Sequence, residues 1–398
     1  MFRPGFALAT VSLSGAALGA PGDLDAEGLA ADAATRTSLL APDHPALVQN
    51  GPGVEFGGQF QFRYTVNVRD EEGEEEAVTQ GFSASRAKLF VDSDLNETWG
   101  VHLQGAFDSD GGAFSLEDAW TDWQLDESLT FRFGQFKVPT LAEELMSSGR
   151  LQAIDRSVTN EVFNLDRTQG FMFIYDTDRI RFLGSFNMGA ASANTDFNGA
   201  NNADYAFTGR FEYVFAGDKE QLEDFSGWQG QELAYKAGFA MHAQDGGESG
   251  INNTGATANV NAFQTTGDFQ IEGNGWNAFG AIVWNHVEPP GNIHVDNFGV
   301  VVQGGVFANP SNEFIARFDV VMPDSVIIGG DDDFSTITVG WNHYFIPESH
   351  ASKFQVDLQW FLNATTENGL VNPEPEIGLL DSSNDSQFAI RAQYSATF

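Results

Sequence analysis

The sequence predicts an all-β chain, a transmembrane antiparallel up-and-down β-barrel of about sixteen strands. Three observations carry this expectation. The segment Gln387–Phe398 alternates without a break, with Phe388, Ile390, Ala392, Tyr394, Ala396 and Phe398 opposite Gln387, Arg391, Gln393, Ser395 and Thr397. A period of two with large apolar side chains on one face marks a strand, and a membrane barrel turns that face to lipid and the other to water. Similar runs recur from Val54 onward, and the connections between them alternate between short and long.

Composition fits the same class. The 398 residues include 36 Phe and 43 Gly but no Cys, which leaves neither disulfides nor thiolate metal ligands. The mean hydropathy of -0.23 is what a barrel gives when half of each strand faces a wet interior. Beyond the first twenty positions no run approaches the roughly 18 apolar residues of a helical span. The net charge of -37 excludes a nucleic-acid partner, whose phosphates require a basic face.

Residues 1–20 read as a secretory signal peptide: Arg3 supplies the positive start, Phe6–Leu18 an apolar stretch and Ala16–Ala20 the small residues of a cleavage region. Residues 21–53 are rich in Ala, Asp and Pro without periodicity, a flexible periplasmic lead-in. Residues 54–398 form the barrel domain. In its first strand Phe56, Phe60, Phe62, Tyr64, Val66 and Val68 oppose Gln59, Gln61, Arg63, Thr65, Asn67 and Arg69. Trp99–Asp108, Arg179–Met188, Tyr205–Phe215 and Phe354–Asn363 repeat the pattern.

Short connections fall at Leu95–Thr98, Asp126–Ser128, Asp176–Asp178, Glu272–Asn274, Ala308–Ser311 and Pro347–Ser352. Long ones fall at Asp70–Gln80, Lys137–Arg167, Gly189–Asn202, Gln244–Thr257, His286–Asp296, Pro323–Phe334 and Thr365–Asp385. Two positions depart from the rule: Ala216–Gln231 is long where a short turn is due, and Asp108–Ala113 is modest where a long loop is due. In the third outer loop Thr140-Leu141-Ala142-Glu143 has the form of a capping box and predicts a helical turn to about Ser147. From the residues alone that loop either lies outside or folds back into the lumen as a constriction.

The block Phe133-Gly134-Gln135-Phe136-Lys137-Val138-Pro139, followed by Glu143-Glu144-Leu145-Met146-Ser147-Ser148 and Asp155-Arg156-Ser157, resembles the phosphate-selective porin O/P family. Ala84-Ser85-Arg86-Ala87-Lys88-Leu89 and Asp118-Ala119-Trp120-Thr121-Asp122-Trp123 are similar to that family's second and fourth strands. The resemblance spans most of residues 54–398, and its specific part is Arg86 to Gly170. It implies a trimeric sixteen-stranded outer-membrane channel with an inward-folded third loop carrying a short helix, and a lumen that can carry basic residues for anions. Its constriction loop would hold Glu143, Glu144, Arg150, Asp155 and Arg156, and Tyr394 and Phe398 would form the membrane-assembly signal.

Strand parity turns Arg63, Arg86, Lys88, Arg132, Arg181, Arg210, Lys236, Arg317 and Arg391 inward, since a guanidinium facing lipid at midplane costs about 2–4 kcal/mol. With Lys137 of the constriction region these form the candidate anion track, or else they pair with inward acids such as Asp118, Asp122, Glu212, Asp319 and Asp357 to stiffen the wall. Acids crowd the outer loops instead, at Asp70–Glu76, Asp331–Asp333 and Glu367–Asp385. The expected function is therefore a porin, a diffusion channel for small hydrophilic solutes and ions. Scarce Lys and an acid-rich constriction argue against strong phosphate selectivity. The alternatives are a surface-structural barrel binding divalent ions and a barrel hydrolase.

No catalytic site is expected. The seven histidines show no H-E-x-x-H spacing, and His102 and His242 read as wall residues. Asp108-Ser109-Asp110 begins like a calcium loop but lacks its later ligands. No cofactor or defined metal site is expected, only loose Ca2+ or Mg2+ at the acidic outer loops. The expected partners are outer-membrane lipid, two further copies in a homotrimer, small ions and solutes, and the barrel-assembly machinery that receives the exported chain.

Overall fold

A computed structural model describes residues 53–70, 77–109, 111–200, 202–247, 260–289, 291, 293–326 and 333–398. The signal peptide and almost all of the lead-in lie outside the described residues; Gly53, assigned above to the lead-in, opens the first strand. The acidic runs at 71–76 and 331–332 also lie outside them.

Sixteen antiparallel strands close on themselves. In order they are β1 Gly53–Val68, β2 Val78–Asn96, β3 Trp99–Phe107, β4 Phe114–Gln124 and β5 Leu129–Lys137. Next come β6 Arg167–Asp176, β7 Ile180–Asn187, β8 Tyr205–Ala216, β9 Ala234–Asp245, β10 Asn261–Gly273 and β11 Trp276–Glu288. The series ends with β12 Val295–Asn309, β13 Asn312–Met322, β14 Phe334–Tyr344, β15 Ser352–Phe361 and β16 Gln387–Thr397. Each strand pairs with its sequence neighbours, and β1 meets β16 from Gln59↔Thr397 to Val68↔Phe388. Closure leaves no edge strand, which is what lets a sheet cross a membrane.

The alternation read from sequence sorts the side chains. Phe62, Phe182, Phe207, Phe211 and Ile282 stand exposed on the outer wall, while Gln61, Asn67, Gln264, Asn285 and Gln393 are buried on the inner one. Outer aromatics extend to both rims. Trp99 stacks on Trp123 at 5.4 Å and Phe215 on Tyr235 at 5.7 Å at the short-turn end, and Tyr64 meets Phe82 at 4.7 Å at the other. Such belts suit the two membrane–water boundaries.

Two bulges reset parity where sequence counting fails. Between Gln61 and Arg63 the β1–β2 register shifts, so Phe82 faces outward while Arg86 and Lys88 bond lumen groups. Between Gln104 and Gly105 the β3–β4 register shifts past Glu117, and the adjacent Glu117 and Asp118 both accept from Gln104. An inserted residue flips every side chain beyond it to the other face.

The interior is not an evenly hydrated tunnel. The third loop, residues 138–166, carries α1 Ala142–Leu145 and α2 Val158–Phe163. Leu141, Val158 and Phe163 pack on inward Val283, Val321, Phe334 and Phe361. Leu370, Val371, Ile377 and Leu379 of the eighth loop, which carries α3 Thr365–Asn368, complete that cluster. Along β11–β16 the lumen is thus filled by this apolar cluster together with buried polar side chains such as Gln152, Glu313, Arg317 and Asp357. The expected capping box does not form. Leu141 is the N-cap of α1 with no side-chain bond, and the Thr140 carbonyl accepts instead from Arg210 and the Thr266 hydroxyl.

The overlong fourth turn, residues 217–233, enters the barrel from the short-turn end. Its Phe225 lies 4.5 Å from Phe279 by ring centroids and joins Met146 and Leu151 of the third loop. Its Trp228 packs edge-on to Tyr344 at 4.7 Å and near His350 at 5.4 Å. Apolar side chains unsuited to an external turn explain the inward fold.

Candidate functional site: the lumen and its constriction

The third loop is tied to the wall by its own charges. Asp155 accepts from Arg63 at 2.8 Å, Arg86 at 2.9 Å and Arg391 at 2.7 Å. Three guanidiniums outweigh its burial and hold this carboxyl well below the usual range. Arg391 also pairs with Asp357 at 2.6 Å. Glu143 accepts from the backbone N–H and hydroxyl of Ser157, at 2.8 and 2.6 Å, and lies 3.5 Å from Arg317. Ser157 in turn caps α2 by accepting from the Asn160 N–H at 3.0 Å.

Glu144 meets Lys137 at 3.0 Å and Arg156 at 3.2 Å. Burial would raise this carboxyl, but those two cations and the Asn160 amide hold it down to about 2. Arg156 donates to the carbonyls of Glu143, Glu144 and Met146. The expected constriction residues Glu143, Glu144, Asp155 and Arg156 are therefore internal ties. Of the five, Arg150 alone is half exposed to water, and it pairs with Glu223 of the fourth turn at 3.5 Å.

The candidate track divides in the same way. Arg63, Arg210, Arg317 and Arg391 do face inward, but all are buried and do not border open space. Arg210 is bonded to Glu212 at 2.7 Å and Asp268 at 2.8 Å. Arg86 is largely covered by Gln61 and Asp155.

The candidate lane lies between the third loop and the opposite wall, where two cavities adjoin. A cavity of about 310 Å3 is bounded by Lys88, His102, Asp118, Trp120, Arg132, Lys137 and Arg167 on one side and by Leu145, Ser147 and Ser148 on the other. A second, of about 280 Å3, continues past Arg150, Arg181, Glu212, Glu223 and Lys236. Lys88 meets Glu117 at 2.8 Å, Arg167 meets Asp118 at 2.9 Å, and Arg132 makes two 2.7 Å bonds to Asp122. Arg181 meets Asp176 at 3.0 Å and Lys236 lies 3.7 Å from Glu212. The Arg132 guanidinium sits 4.0 Å over the Trp120 ring, and His102 stacks on the same indole at 4.1 Å while bonding Asp92.

Trp120, which borders the larger cavity, and Glu117, the partner of Lys88, escaped the sequence reading. The bulge hides Glu117, and inward aromatics carry no signal apart from parity. His242 is a buried wall residue bonded to Thr208 and Gln244.

A family model described as phosphate-selective porin O and P matches residues 54–321. The chain belongs to this family. As such it is an outer-membrane channel for solutes and ions. Solved structures share the porin's fold. An anion-selective porin from Comamonas acidovorans superposes with a TM-score of 0.59 at 13% identity, over 87% of this chain and 100% of that one. Pseudomonas putida OprB gives 0.56 at 10% identity, over 92% and 97%. The outer membrane channel DcaP of Acinetobacter baumannii gives 0.55 at 12%, over 87% and 97%. No curated protein matches the porin's sequence.

Proposed function

We propose that the porin passes small hydrophilic solutes and ions passively through the lane between its third loop and β2–β9, with weak charge preference. The observation that carries this reading is the pairing of the lane's cations. Lys88, Arg132, Lys137, Arg167, Arg181 and Lys236 each lie within hydrogen-bond or ion-pair distance of a carboxylate. An anion pore needs cations whose charge is not already compensated. The lane offers alternating, neutralised pairs, so a passing phosphate would compete with fixed carboxylates for every guanidinium. The reading departs here from the family's description and from the anion selectivity of the Comamonas porin.

The same reading makes the chain a passive channel and not an enzyme. Ser226, His350 and Asp224 do come together, but the serine hydroxyl and the carboxylate both approach the same His350 Nε2, at 3.3 Å each. Nucleophilic catalysis needs the acid on the opposite ring nitrogen. Export through the periplasm, insertion by the barrel-assembly machinery through Tyr394 and Phe398, and assembly as a homotrimer complete the proposal. The Phe398 ring, exposed at the seam against Gly58, supports the terminal strand as the assembly signal. Loose Ca2+ or Mg2+ at the acidic outer loops belongs to it as well.

Reversal potentials of the refolded porin in a KCl gradient test the reading, repeated with phosphate replacing part of the chloride at constant ionic strength. Small reversal potentials and no block by phosphate are expected. Saturable block by phosphate would overturn the proposed lack of selectivity, and a silent bilayer would overturn the passive lane itself.

A further inference from the structure

At the long-loop rim, on the outer face of β11 and β12, His286, Glu288 and His294 bring three donor atoms within 4.8 Å of one another. The sequence shows no recognised ligand spacing here, because the sixth loop separates His294 from the other two. His286 Nε2 lies 3.4 Å from Glu288 Oε1, and His294 Nδ1 lies 3.2 Å from the same oxygen. In a tetrahedral site with metal–ligand bonds of about 2.0–2.2 Å, neighbouring donors are roughly 3.3 Å apart. Both distances match such an edge. The two imidazole rings lie 5.7 Å apart and nearly parallel, at 19°.

The groups that would orient these ligands are already in place. His286 Nδ1 is bonded to Asp296 at 2.9 Å, which leaves Nε2 as the ligand nitrogen. Asp296 is itself fixed by the Trp284 indole N–H at 2.9 Å, and its own backbone N–H donates to Asp324 at 2.9 Å. A carboxylate orienting the far nitrogen of a ligating histidine is the common arrangement in metal sites. We propose that His286, Glu288 and His294 hold one divalent transition cation of the zinc, nickel or copper class, with water completing the shell. Two imidazoles and one carboxylate suit these metals and not Ca2+ or Mg2+, which take oxygen ligands. The bound ion would staple the two ends of the sixth loop together.

The test uses the untagged full chain folded in detergent. Zinc titration by calorimetry is expected to show a single site that His286→Ala/His294→Ala removes and that Asp296→Asn weakens by about 10–100-fold. Loaded with Cu2+ instead, the unaltered porin is expected to give an electron paramagnetic resonance spectrum with imidazole nitrogen coupling. Zinc affinity unchanged in the double variant would assign the metal to the acidic loops. A copper spectrum without nitrogen coupling would leave only hydrogen-bonded His–carboxylate pairs. Either result overturns the site.

Discussion

Arg391 of the last strand and Asp155 of the third loop lie 2.7 Å apart, both buried, and the same carboxylate reaches Arg63 in the first strand. One loop side chain thus bridges the two strands whose pairing closes the barrel. It also fixes the third loop on one side of the lumen and leaves the lane open on the other.

Replacing Asp155 with Asn would leave Arg63, Arg86 and Arg391 facing one another without their shared counter-charge. Removing one partner of a buried ion pair costs about 3–5 kcal/mol. The expected outcome is a lower urea midpoint by that order and flickering conductance as the loop detaches. Denaturation followed by heat-modifiable gel mobility, together with single-channel noise, checks it. An unchanged midpoint would remove Asp155 as the pin.

Glu144 gives the loop an acid-sensitive tie. Its carboxyl is held at about 2 in the folded porin against an ordinary value of 4.5. A depressed folded value means that the stabilisation is fully present above about pH 4.5 and is lost as pH falls toward 2. The urea midpoint of the wild type should therefore fall across that window. Glu144→Gln should start lower at neutral pH and show a shallower decline, since Asp155 still titrates there. Parallel curves would show that Glu144 contributes nothing.

In the lane, Arg132→Ala leaves Asp122 without its two bonds and should shift the reversal potential toward cation preference. Asp122→Asn should shift it the opposite way. Equal reversal potentials in both variants would place the permeating ions elsewhere.

The outer wall and the topology were legible because lipid imposes a strict period of two, as in Phe56–Val68 and Phe388–Phe398. The filled half of the lumen was less so. β11 is apolar on both faces, with Phe279 and Val283 inward and Ile282 and Trp284 outward, a signal of burial on two sides. Parity gives direction and not partners: Arg210 faces inward but is covered by Glu212 of its own strand and Asp268 of β10, and Arg391 by Asp357 of β15 and Asp155 of the third loop. Bulges at Gln61/Arg63 and Gln104/Gly105 depend on strand pairing, which no single strand encodes.

The fourth turn is anchored at the short-turn end through Trp228, which is buried against Phe307 and Tyr344. Truncating a buried aromatic costs about 3–5 kcal/mol. Trp228→Ala should therefore lower the urea midpoint by that order while leaving unitary conductance in place, since Trp228 borders neither lane cavity. An unchanged midpoint would mean that the turn does not anchor this end of the barrel.

Closure of the seam depends on glycine at position 58, where a Cβ would lie 2.7 Å from the Phe398 ring and 3.1 Å from the Lys88 carbonyl. Gly58→Val should slow refolding and reduce the folded fraction, read by gel mobility over time. Wild-type refolding would show that the ring is free to move aside.

The lane itself is tested most directly by thiol modification, since the chain holds no native cysteine. Gln104 borders the larger cavity beside Lys88 and Asp118. Unitary conductance of Gln104→Cys is to be recorded before and after a bulky thiol reagent is added. The account expects each conducting unit to fall to a lower level on modification. Full conductance from a channel shown by mass to be modified would contradict it.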